Sequence, residues 1–147
     1  MIRPATVLAF ALAACVSAPV QSSGTAAIRG CWAEKRGDMT VSQRWFPKAG
    51  GWRGDEITYP KDGEPDAVRW KLLPGFEGDK MLWSMCMVEL SMASSPPCWP
   101  AQFTTRAARD EEDRWVEVAA SPDALKITYV TGPNRAVMYD GRRDGCD

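Results

Sequence analysis

Leu125-Lys126-Ile127-Thr128-Tyr129-Val130 lies between two turn-forming clusters, Ser121-Pro122-Asp123 and Gly132-Pro133-Asn134. Successive side chains on a β-strand point to opposite faces, so Leu125, Ile127 and Tyr129 line one side of this segment. A six-residue apolar alternation closed at both ends by glycine, proline and aspartate reads as a half-buried strand. The same texture recurs across the chain. Residues 30–35, 39–46, 52–59, 67–73, 80–90, 101–107, 115–120 and 136–139 each carry a short β-like run. Breakers follow them: Pro47-Lys48-Ala49-Gly50-Gly51, Pro60-Lys61-Asp62-Gly63, Pro74-Gly75 and Asp140-Gly141. Together they make nine candidate strands at nearly regular spacing, the pattern of an all-β sandwich or barrel. On 80–90, Trp83, Met85 and Met87 fall on one face. Helical periodicity is weak throughout, and the charged segment 106–113 reads as a loop.

The amino terminus has a different character. Arg3 precedes an almost wholly apolar run over 4–14 that ends in Leu12-Ala13-Ala14-Cys15. That is the outline of an export signal, and it is too short for a bilayer-spanning helix of roughly 20 residues. Two cleavage readings compete. A small-x-small site at 16–18 or 25–27 would discard Cys15. Alternatively, Leu-Ala-Ala-Cys resembles the lipobox of bacterial lipoproteins, which implies that Cys15 is acylated and becomes the first mature residue. Two or more acyl chains hold a protein on a bilayer durably, whereas one does not. The resemblance thus implies a signal peptide over 1–14, a flexible tether over 15–27, a domain over 28–147, and membrane attachment through Cys15. Val16, rather than an aspartate, follows the cysteine, which by the same resemblance favours the outer membrane, facing the periplasm.

The full chain of 147 residues carries a formal net charge of −1, and cleavage would remove only Arg3 among the charged side chains. Basic residues are interspersed with acidic ones along the sequence, so no nucleic-acid footprint is expected. Of five cysteines, four remain once Cys15 is given to lipid: Cys31, Cys86, Cys98 and Cys146. An even count in an oxidising compartment reads as two disulfides with three possible connectivities. The favoured pairs are Cys86–Cys98, closing the loop around Ser94-Ser95-Pro96-Pro97, and Cys31–Cys146, joining the ends of the domain.

Gly30-Cys31-Trp32 at the start of the first strand, followed by Arg44-Trp45-Phe46-Pro47 and Gly50-Gly51, resembles small bacterial calycin-type barrels, relatives in shape of lipocalins and fatty-acid-binding proteins. The resemblance implies a single antiparallel up-and-down β-barrel of about eight to nine strands, with Trp32 plugging the closed floor. Such a barrel brings first and last strands together, which suits the Cys31–Cys146 pair.

The chain contains no histidine, which removes Ser-His-Asp and Cys-His catalysis and histidine metal sites. No nucleophile elbow or phosphate-binding glycine loop is present either. The acidic runs Asp55-Glu56 and Glu111-Glu112-Asp113 read as solvated turns, since adjacent strand residues face opposite ways and form no carboxylate pair alone. Met81, Met85, Met87 and Met92 near Trp83 raise the idea of a soft Cu(I) site, but methionine serves more often as adaptable core filler, so no metal or other cofactor is assigned.

Seven tryptophans, Trp32, Trp45, Trp52, Trp70, Trp83, Trp99 and Trp115, are the strongest hint of a ligand cavity. The expectation is a non-enzymatic envelope lipoprotein whose barrel binds a small apolar ligand through Trp45, Trp70, Trp83 and Met85. The alternative is a solid interaction lipoprotein that contacts an envelope protein, or inhibits a hydrolase such as lysozyme, with Trp99 on the Pro-rich loop as its contact.

Overall fold

The computed structural model describes residues 24–77, 80–88, 97–103 and 113–146. Expectations for the leader, Cys15, Met92, Ser94-Ser95-Pro96 and Glu111-Glu112 lie outside the described residues. A 3-10 turn, Thr25–Ile28, leads into nine strands that close into one barrel in chain order. They are β1 (Gly30–Arg36), β2 (Met39–Lys48), β3 (Gly51–Tyr59), β4 (Asp66–Glu77), β5 (Lys80–Val88), β6 (Cys98–Gln102), β7 (Arg114–Ala120), β8 (Ala124–Thr131) and β9 (Asn134–Asp144).

The barrel is mostly antiparallel, and its one exception follows from simple parity. Nine neighbours in a closed ring cannot alternate up and down all the way round. The odd pair falls between β6 and β7, which run parallel through Ala101↔Val116 and Gln102↔Glu117, while every other adjacent pair is antiparallel. Parallel neighbours need a long connection rather than a hairpin, and the stretch from Phe103 to Asp113 supplies one. Pro74-Gly75 fails to end its strand. Pro74 pairs with Trp83 of β5, but the β3 ladder stops at Trp52↔Leu72, so the missing N–H interrupts no second ladder. Pro47 is placed in the same way, paired with Trp52 just beyond the reach of β1.

The strand alternation fills the interior. Trp32, Val41, Trp45, Trp70, Leu72, Met85, Val116, Val118, Leu125, Ile127 and Tyr139 form one buried cluster with Ile28 from the 3-10 turn. Truncating any of the tryptophans to alanine would cost about 3–5 kcal/mol. At β3, Gly54 is the cross-strand partner of Trp45, and a Cβ there would stand 2.7 Å from the indole ring. Glycine lets the large ring lie flat against the neighbouring strand. Two disulfides staple the barrel, Cys31–Cys146 across its two ends and Cys86–Cys98 between β5 and β6, the favoured connectivity of the three.

Candidate functional site

The end of the barrel where β1 starts is closed by packing. Trp32 is wholly buried, and its indole N–H donates to the Ile28 carbonyl at 2.8 Å. Over its ring lies the Arg143 guanidinium of β9, 3.8 Å from the ring centroid. Arg143 also donates to the carbonyls of Arg29 (2.6 Å) and Pro122 (2.9 Å), tying the entry segment and the β7–β8 turn to the last strand. Gly30 has φ +126°, a conformation suited to glycine, and a Cβ there would land on the Arg143 guanidinium. Sequence reasoning placed Trp32 at this end but missed Arg143, which stands in a charged terminal run with no local feature to mark it.

Trp45, Trp70 and Met85 all face inward, at 2%, 6% and 1% exposure, so they are walled in by their neighbours. Trp83 also packs against the core but is only partly buried. Toward the opposite end, where β4 begins and β5 and β8 finish, Val68, Met87, Trp99 and Tyr129 pack on the same core yet remain partly exposed. These four are the accessible apolar wall. Trp99, expected on a partner-contacting loop, instead sits on β6 opposite Met85, with its ring edge-on to Tyr129 at 5.8 Å.

Beside the apolar wall and the buried tryptophans lies a polar layer that the sequence reading did not find. Glu56 is on β3 rather than in a turn, and it pairs with inward-facing Gln43. Its carboxylate accepts from Gln43 Nε2 at 2.5 Å and from the Trp70 indole at 3.2 Å, while Gln43 Oε1 accepts from the Trp45 indole at 2.8 Å. Gln43 is 2% exposed, so its amide is spent bridging a tryptophan to a carboxylate. Glu34, two residues beyond Trp32 on the same face of β1, forms an ion pair with Arg36 at 2.7 Å, and Arg36 in turn donates to the Met138 carbonyl. Tyr139 completes the layer, its hydroxyl donating to the Val41 carbonyl at 3.4 Å. Burial pushes the Tyr139 phenol well above its usual range, and the charges of Glu34 and Glu56 push it further the same way. Asp55, the other half of the acidic pair, points outward to Arg53 and Arg69. The correction has a plain cause: an acidic dipeptide beside glycine looks like a turn until its strand partners are known.

The interior therefore combines buried indoles and Met85, a polar set of carboxylates, amide, phenol and the Arg36 guanidinium, and a partly exposed apolar wall. Such an arrangement can take an apolar body and satisfy one or two hydrogen-bond donors. Comparison with known protein families, curated proteins and solved structures finds no match to this chain.

Proposed function

We propose that this chain is an envelope-anchored carrier, attached through Cys15 to the outer membrane and facing the periplasm, with a calycin-like barrel that holds a small, largely apolar ligand. Its role is binding rather than catalysis. The observation that carries this reading is the partly exposed wall of Val68, Met87, Trp99 and Tyr129, next to the Glu56 carboxylate held by Gln43 and Trp70. Buried Trp45, Trp70 and Met85 support the wall from beneath, and Trp83 extends it along β5. The ligand's apolar part lies against the wall, and its hydrogen-bond donor meets Glu56 or Glu34.

The near-complete coverage of Trp32, Trp45, Trp70 and Met85 favours a second reading, a solid barrel that works by contacting an envelope partner or a hydrolase. One experiment separates the two. Titration of the protein with the neutral probe N-phenyl-1-naphthylamine should raise probe emission and quench tryptophan fluorescence, and Met87→Lys should abolish both changes while leaving the fold intact. Unchanged probe emission with wild-type protein, or equal emission with Met87→Lys, would overturn the carrier reading in favour of the solid one.

A further inference from the structure

The outer surface of the barrel carries a charge asymmetry that the linear sequence conceals. Outward positions of β2, β3 and β4 bring Arg44, Asp55 and Arg69 into one cross-strand row, and Phe46, Arg53 and Lys71 into the next, with Lys48 beyond. In these rows the five cations Arg44, Lys48, Arg53, Arg69 and Lys71 surround one carboxylate, Asp55, which is shared between Arg53 at 2.8 Å and Arg69 at 3.4 Å. Arg44, Lys48 and Lys71 are exposed. The opposite side is more evenly paired: Lys126 and Arg142 flank Asp140, and Arg135 pairs with Glu117. In a chain of net charge −1, so concentrated a positive field must be offset elsewhere.

The face is also not purely polar. Phe46 lies among the cations, with the Arg44 and Arg53 guanidiniums 5.8 and 5.6 Å from its ring centroid. Leu73, two residues past Lys71 on the same face, is 40% exposed. Cations fixed on strands, with apolar side chains at their edge, match the headgroup region of an anionic bilayer better than a grooved polyanion. The chain enters the barrel at Gly30, whose cross-strand partner Trp45 lies on the first strand of this face, so a lipid anchor upstream would arrive beside it. We propose that the β2–β4 face docks on a bilayer surface bearing anionic phospholipid headgroups, through Arg44, Lys48, Arg53, Arg69 and Lys71. Docking here would fix how the barrel sits on the membrane instead of leaving it free on a tether.

The inference does not depend on acylation or on a ligand, so it is tested with the full chain as the unacylated Cys15→Ser variant. That protein should sediment with phosphatidylglycerol-containing vesicles and not with pure phosphatidylcholine vesicles, and should be released at about 1 M salt, where the screening length falls to about 3 Å. Arg44→Gln with Lys71→Gln should weaken partitioning about 25-fold, at about fivefold per cation. Lys48→Gln with Lys71→Gln should do the same, and serves if the first pair does not fold. Lys126→Gln with Arg135→Gln removes equal charge from the other side and should change partitioning less than threefold. Equal sedimentation with both lipids, or an equal loss in the control pair, would overturn the proposal. Retention on heparin at this face without vesicle binding would also overturn it, and would point to a soluble polyanion.

Discussion

The Arg143 guanidinium lies over the Trp32 ring while donating to the Arg29 and Pro122 carbonyls, so one side chain of the last strand clasps the first strand, the segment before it and the β7–β8 turn. The backbone ladder between β1 and β9 is only three pairs long, Cys31↔Asp144 to Ala33↔Arg142, so this clasp and the Cys31–Cys146 disulfide reinforce a short seam. Arg143→Ala should lower unfolding free energy by about 2 kcal/mol through lost cation–π and charge-assisted hydrogen bonds. Gly30→Ala should cost at least as much, because its Cβ displaces the same guanidinium and its φ is strained. The double variant should fall well short of the sum in urea melts, since both changes break one contact. Strict additivity would show that the two positions act separately.

The two disulfides should differ in weight. Cys31–Cys146 spans a sequence separation of 115 and Cys86–Cys98 one of 12. Loop-closure entropy predicts that Cys31→Ser with Cys146→Ser costs about 5 kcal/mol and Cys86→Ser with Cys98→Ser about 3 kcal/mol. Denaturant midpoints of the two double variants give the comparison directly, and the reverse order would contradict this assignment of the barrel's main staple.

Tyr139 gives a pH signature. Its phenol is held above the usual range, so the folded state retains a proton that the unfolded chain releases at about pH 10. The associated stabilisation is complete below that pH and is lost as pH rises above it. Stability should therefore be flat across neutral pH on this account and decline beyond about pH 10. Tyr139→Phe should flatten that decline at a cost of about 1 kcal/mol at pH 7. An unchanged alkaline slope in the variant would show that another group sets it.

Much of the barrel was legible because period-two alternation is local. Leu125, Ile127 and Tyr129, and likewise Trp83, Met85 and Met87, read inward from sequence and face the core. Of the disulfide pairs, Cys86–Cys98 was legible as the closure of a short loop and Cys31–Cys146 as the join between the two ends of the domain, which suits barrel closure. What stayed hidden depends on partners distant in sequence. The parallel β6–β7 pairing leaves no mark on either strand alone. Glu56 and Gln43 become a hydrogen-bonded pair only when β2 meets β3 in register, and Arg143 gains a role only when β9 reaches β1. The basic face was invisible for the same reason: Arg44, Arg53 and Lys71 are scattered along the chain and are gathered by strand pairing.

The central claim, an anchored barrel that carries a ligand, is tested most directly by native mass spectrometry of the protein extracted from its own membranes, followed by mass measurement after denaturation. The account predicts a chain that begins at Cys15 with covalent acyl mass, together with a smaller noncovalent mass released on unfolding. A chain beginning beyond Cys15 without acyl mass, or an acylated chain that releases nothing on unfolding, would contradict it.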